Sequence, residues 1–122
     1  MQLKRVVVTG IGALTPIGNT ADEYWQGLSK GVSGAAPITR FDAEKFKTQF
    51  ACELKNYEPN DHFDRKDARK MDLFTQFAHI VADEAVLDSG LDLEKIDRDR
   101  AGVIWGAGIG GLKTFQDEVM NF

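Results

Sequence analysis

The first strong hydrophobic signal along the chain is a continuous run. Val6, Val7 and Val8 lie inside the stretch from Leu3 to Thr9, and Gly10 stops it. A continuous run, unlike an alternating one, predicts a strand covered on both faces. Gly12, Pro16 and Gly18 then break the chain into a loop. Thr20-Ala21-Asp22-Glu23 has the capping-box pattern and predicts a helix start, with Asp22 and Glu23 at the positive end of its dipole. Ala21, Tyr24, Trp25 and Leu28 share the expected inner face, and Gly31 is the expected stop. Residues 32–48, with Gly34 and Pro37, read as irregular. Phe50 to Leu54 reads as a short strand and Pro59 to Phe63 as a turn. The longest helical pattern runs from about Arg65 to Ser89. Phe74, Phe77, Ala78, Val81 and Ala85 form its stripe, widened by Leu73, Ile80 and Leu87. So wide a stripe predicts burial on more than one side. Gly90 ends the pattern, and the charged residues from Glu94 to Arg100 predict a surface turn. Ala101 to Trp105 predicts a second buried strand, followed by 106-GAGIGG-111 and by a further helix from Leu112 to Phe122. Strands alternating with helices in this order argue an α/β fold.

Composition narrows the function classes. The chain has 122 residues, the size of one domain, and no internal repeat. Its formal net charge is −4, so as a whole it does not complement nucleic acid or an anionic membrane. No apolar run is long enough to span a bilayer. The opening MQLKRVVV passes directly into the strand pattern, so no signal or transit peptide is expected. Cys52 is the sole cysteine; no internal disulfide can form, and a reducing cytoplasm fits. Within an apolar strand, Cys52 reads as a buried small hydrophobe. His62 falls in a polar turn and His79 on the long helix; with one distant cysteine they predict no metal site.

Both glycine clusters raise the question of a nucleotide. Gly10 and Gly12 fit the first two positions of G-x-G-x-x-G, but Thr15 occupies the third and Pro16 has no N–H to offer a phosphate. The Gly-Lys-Ser/Thr of a P-loop is absent. This turn therefore reads as one that admits close packing. The second cluster, Gly106 to Gly111, satisfies the pattern and follows a predicted strand, which leaves a dinucleotide-binding oxidoreductase domain as an alternative.

One stretch breaks a local rule. In an acidic chain, 65-RKDARK-70 carries four cations in six residues. Lys66, Arg69 and Lys70 are spaced i,i+3 and i,i+4 and share a helix face. At the start of the predicted long helix each costs roughly 0.3–1 kcal/mol against the dipole, which Asp64 and Asp67 partly offset.

The segments RVVVTGIGALTPIGNT, RKDARKMDLF and GVIWGAGIGGL, in this order and spacing, resemble the N-terminal part of a β-ketoacyl-[acyl-carrier-protein] synthase, closest to the synthase II type of bacterial fatty-acid synthesis. The resemblance covers nearly the whole chain. It implies a thiolase-like fold, layered α/β/α, of which residues 1–122 are an incomplete N-terminal portion. It implies a decarboxylative Claisen condensation using a cysteine nucleophile in a Thr-Ala-Cys type motif and two histidines. All three are expected later in the protein, so no catalytic residue is expected in this chain, which alone should be inactive. The implied partner is acyl carrier protein, whose phosphopantetheine arm is the only prosthetic group involved, and the implied assembly is a homodimer. By the same resemblance Lys66, Arg69 and Lys70 dock the acidic carrier. Ile109 lines the acyl pocket near the dimer interface, flanked by Gly108 and Gly110, which let the backbone pass close. A noncatalytic synthase-like partner subunit, as in polyketide systems, is a further alternative.

Overall fold

The capping pattern at Thr20 starts a helix as expected. A computed structural model describes residues 3–122, and in it helix α1 spans Ala21–Ser29. The Thr20 hydroxyl accepts the Glu23 N–H at 3.2 Å. The Glu23 carboxylate reaches back one residue beyond the usual box and accepts the Asn19 N–H at 2.8 Å. Lys30 caps the C-terminus, and Gly31 follows at a φ of +66°. Thr20→Ala is expected to cost about 1 kcal/mol, read as a lower urea midpoint; an unmoved midpoint would show the cap to be idle.

The face that α1 turns inward differs from the expected one. Trp25 is 69% exposed and Leu28 is also exposed, while Gly27 is buried. The cause is the preceding loop. Thr15 and Gly18 close on each other, the Thr15 N–H donating to Gly18 O at 2.8 Å. That closure lays Ile17 on the helix, where a Cβ on Gly27 would come within 2.9 Å of Ile17 O.

Two short strands complete this unit, which runs Gly12–Tyr57. β1 (Ala36–Pro37) pairs antiparallel with β2 (Phe50–Ala51), Ala36 opposite Ala51 and Pro37 opposite Phe50. The strand expected over Phe50 to Leu54 is thus shorter, and its partner lies in a stretch read as irregular. Past Ala51 a side chain replaces the ladder. Glu53 accepts the Thr39 hydroxyl at 2.7 Å and the Thr39 N–H at 3.2 Å. The Thr39 hydroxyl bond, then the Thr39 and Arg40 N–H groups and the Arg40 charge, hold the Glu53 carboxyl below its ordinary range. Cys52 sits just outside the two-residue ladder and is exposed, not buried as expected.

The second unit comprises the chain through Ile11 together with Glu58–Phe122. Its helices are α2 (Arg65–Ala68), α3 (Leu73–Ser89) and α4 (Leu112–Asn121). The single helix expected from Arg65 to Ser89 is therefore two. Asp72 takes an extended backbone (φ −60°, ψ 154°) and caps α3 anew; its carbonyl accepts the Thr75 and Gln76 N–H groups. The break changes the electrostatics of the basic stretch. Arg65 and Lys66 lie in the last turn of α2, Arg69 caps it, and Lys70 follows. α2 is a single turn that opens on Arg65 and is capped by Arg69, so the cations no longer stand at the unfavourable end of a long helix. Gly90 ends α3 at a φ of +62°, and Arg98–Arg100 form a single 3-10 turn.

The expected strands at 3–9 and 101–105 do not form among the described residues. Val6 is 88% exposed and Ile104 99%. A strand exists only by pairing its N–H and C=O groups with a neighbour, and no described residue supplies that neighbour. The α3 stripe is accordingly half-covered: Phe77, Ala78, Val81 and Ala85 are partly buried, while Leu87 is fully open. Among the described residues no hydrophobic side chain is fully buried, and Gln76, 4% exposed, is the one buried polar side chain.

Candidate functional site

The two glycine turns rest against the two ends of α3. At the C-terminal end the backbone of Gly10 presses on the helix. A Cβ there would lie 2.1 Å from Ala85 O and 2.6 Å from Ser89 N. The next amide, Ile11 N–H, donates to the Asp88 carboxylate at 2.9 Å. At the N-terminal end a Cβ on Gly110 would meet the Phe74 ring at 2.6 Å. Gly111 caps α4 at a φ of +72°, with an Asp72 carboxylate oxygen 3.0 Å from where its Cβ would stand. The Thr114 hydroxyl, in the first turn of α4, donates to the same carboxylate.

These contacts bear directly on the nucleotide question. A bound pyrophosphate needs free backbone N–H groups at the turn and a positive helix end. Each turn instead presents a carboxylate: Asp88 holds the Ile11 amide, and Asp72 sits over the start of α4. Two anions in one place repel. Close packing, expected for the first turn, is what Gly10 provides. In the second, the close neighbour is a side chain, Phe74, and the outer glycines are open: nothing lies within 4 Å of a Cβ on Gly106 or Gly108. Ile109 is 77% exposed at the tip of this turn.

The basic stretch begins at the other side of Asp72. Lys66, Arg69 and Lys70 are all exposed. Lys70 pairs with Asp67 at 3.3 Å, with both side chains more than half open, so the pair contributes little. A shallow hollow of about 210 Å³ is lined by Pro59, Asn60, Arg65, Ala68 and Arg69. A second, of about 320 Å³, is lined by Phe63, Asp67, Lys70, Met71 and His79. The Phe63 and His79 rings meet edge to face at 6.1 Å.

Of the three residues that carry this arrangement, Gln76 and Asp72 escaped the sequence reading, and Phe74 was marked only as part of the apolar stripe of the long helix. Gln76 donates from Nε2 to Ala68 O at 2.8 Å and to Met71 O at 3.0 Å. Asp72 and Phe74 join the basic stretch to the glycine turn. For Gln76 the one available signal was a glutamine standing between Phe74 and Phe77 in an apolar stripe. By contrast, Cys52, His62 and His79 assemble into nothing catalytic. Cys52 belongs to the other unit, both histidines are exposed, and no metal-binding group of acidic, histidine or cysteine side chains occurs among the described residues. No helix is long and apolar enough to cross a membrane among the described residues.

The likeness to known proteins agrees with this architecture. Residues 3–121 match the β-ketoacyl synthase N-terminal domain. The 3-oxoacyl-[acyl-carrier-protein] synthase 2 of Staphylococcus aureus (strain COL) is 51% identical over 115 residues, which cover 94% of this chain and 28% of that protein. The enzyme of the same name from Synechocystis sp. is 47% identical over 118 residues, 97% of this chain and 28% of that one. Among solved structures, the ishigamide ketosynthase/chain length factor superposes with a TM-score of 0.62 at 41% identity, over 74% of this chain and 22% of its own. The chain therefore spans a little over a quarter of the length of the curated relatives it matches. By the match along its length, this chain belongs to the β-ketoacyl synthase family, in its N-terminal domain, and so to the thiolase-like fold.

Proposed function

We propose that residues 1–122 form the N-terminal part of a 3-oxoacyl-[acyl-carrier-protein] synthase II-like condensing enzyme of fatty-acid elongation. What carries the reading is identity near one half, over more than nine-tenths of the chain, to proteins bearing that name. In the complete enzyme the segments 3–9 and 101–105 become strands of a layered α/β/α sheet, which accounts for their exposed valines and isoleucine here. The acyl chain moves from carrier protein to a cysteine thiol beyond this segment, releasing the carrier thiol. Malonyl carrier protein loses CO₂, and the resulting carbanion attacks the thioester and expels the cysteine. Two histidines, also beyond it, and a backbone oxyanion hole stabilise the charge that develops. The enzyme is a cytoplasmic homodimer and needs no cofactor beyond the phosphopantetheine of its carrier.

This segment contributes recognition. Lys66, Arg69 and Lys70 offer an exposed cationic surface to an acidic carrier protein. Ile109, between Gly108 and Gly110, lines the acyl pocket; Gly108, with nothing within 4 Å of a Cβ, leaves room for a chain beside it, while Gly110 packs on Phe74. The dinucleotide reading is disfavoured by the carboxylates at both turns. A noncatalytic partner subunit is the second reading, because the superposed structure is named for both a ketosynthase and a chain length factor.

The test is the chain-length profile of the full-length protein with acyl- and malonyl-carrier protein. The wild type should condense them. Ile109→Phe overfills the pocket and should lower kcat/KM for the longest accepted chains roughly 5- to 100-fold, sparing short ones. An unchanged profile removes Ile109 from the pocket. A wild type that condenses nothing favours the partner-subunit reading.

A further inference from the structure

We propose that Gln76 is a positioning residue for the carrier-docking surface, clamping the basic stretch to α3 from beneath. The inference rests on the docking reading of Lys66, Arg69 and Lys70 given above. α2 is only four residues long. A single helical turn does not hold itself together in water, because nucleation fixes several residues for one hydrogen bond. Of its last two carbonyls, Asp67 O accepts the Lys70 N–H at 3.0 Å, which leaves Ala68 O to a partner from outside the turn. The visible surface contact, Lys70 with Asp67, is exposed and weak.

Gln76 supplies what the short helix lacks. It is 4% exposed, and its Nε2 donates at 2.8 Å to Ala68 O and at 3.0 Å to Met71 O. Both partners are carbonyl oxygens, which fixes the amide with its nitrogen toward them. Ala68 is the last residue of α2, and Arg69 and Lys70 are the two residues between the two accepted carbonyls. The amide therefore brackets two of the three docking cations and anchors the helix that carries the third. The base it anchors them to is the 17-residue α3. Without the clamp the cations spread over many arrangements, and carrier binding must order them first. Once the carrier is bound, the chemistry is untouched.

The experiment uses the full-length synthase with two substrates: an acyl group on the carrier protein, and the same acyl group on a pantetheine thiol. Gln76→Glu keeps the shape but loses both donors; Gln76→Met loses them without adding charge. The expected result is a rise of about tenfold in KM for the carrier-borne substrate, with kcat within about twofold and the pantetheine thioester turned over as by wild type. Adding Gln76→Met to a protein already reversed at Lys66, Arg69 and Lys70 should change KM no further, since the surface it positions is gone. An unchanged KM in both variants overturns the inference, as does an equal loss with both substrates. Failure of both variants to yield soluble enzyme overturns it too, by making Gln76 a general requirement of the fold. If charge reversal raises KM and the Gln76 variants do not, only the Gln76 inference falls. If charge reversal itself has no effect, the docking reading falls with it.

Discussion

Reversing Lys66, Arg69 and Lys70 together to glutamate in the full-length synthase is expected to weaken carrier-protein binding about 100-fold at low salt. The size follows from the setting. Residues 1–122 carry a net charge of −4, so this segment as a whole does not attract an acidic carrier and its attraction rests on a local cationic patch. The three side chains are exposed, so each alone contributes modestly, but reversal turns three attractions into three repulsions at close range. Salt supplies a second signature. Wild-type affinity should fall as ionic strength rises, whereas the variant's should stay level or rise, the two converging near 1 M salt, where screening acts within about 3 Å. Reversing Lys45 and Lys47, also exposed but on the other unit, changes net charge without touching the patch and should have a small effect. Equal losses from both sets would reduce the patch to bulk charge, and an unmoved dissociation constant would sink the docking reading.

What was legible in the sequence was local. Thr20 with Glu23 fixes the start of α1, and Gly90 fixes the end of α3, because caps depend on residues within one turn. What was hidden depends on contacts across the sequence. Asp72, just before Leu73, is a capping residue type and so a local sign of a helix start, but Ala68 and Met71 carry the apolar spacing on toward Phe74 and mask the break between α2 and α3. The break is held by a side chain from Gln76, which reads as one polar residue in a stripe. Leu3 to Thr9 has strand composition, but pairing belongs to the partner, and none lies among the described residues. The candidate site divides in the same way. Four cations in six residues stand out in an acidic chain. Their role, and that of Ile109, came only from likeness to a family. That Asp88 and Asp72 answer the two glycine turns could not be read at all, since 77 residues separate Asp88 from Ile11.

Gly10→Ala is expected to destabilise the protein by about 3 kcal/mol, at the upper end of the cost of forcing atoms into a filled site. The new methyl would stand 2.1 Å from Ala85 O and 2.6 Å from Ser89 N, both backbone atoms of α3. Neither can swing aside as a side chain can, so the chain at Gly10 must lift off the helix. Lifting also breaks the hydrogen bond from Ile11 N–H to Asp88, at 2.9 Å. Gly90→Ala separates this clash from a purely conformational cost. Gly90 needs a φ of +62° but has nothing within 4 Å of a Cβ, so alanine there should cost only about 1 kcal/mol. Ser89→Gly is a second control. It removes the Ser89 Cβ, which lies 2.8 Å from the new methyl, but leaves Ala85 O in place, so it should not rescue Gly10→Ala. Urea unfolding of the three variants decides the matter. Equal costs at Gly10 and Gly90 would mean that the opening turn does not seat on α3. The close-packing account of that turn would then fall, though Thr15 and Pro16 would still break the dinucleotide pattern there. A cost at Gly10 well above that at Gly90, unrelieved by Ser89→Gly, places the backbone of α3 directly against the opening turn, the close packing for which that turn needs its glycine.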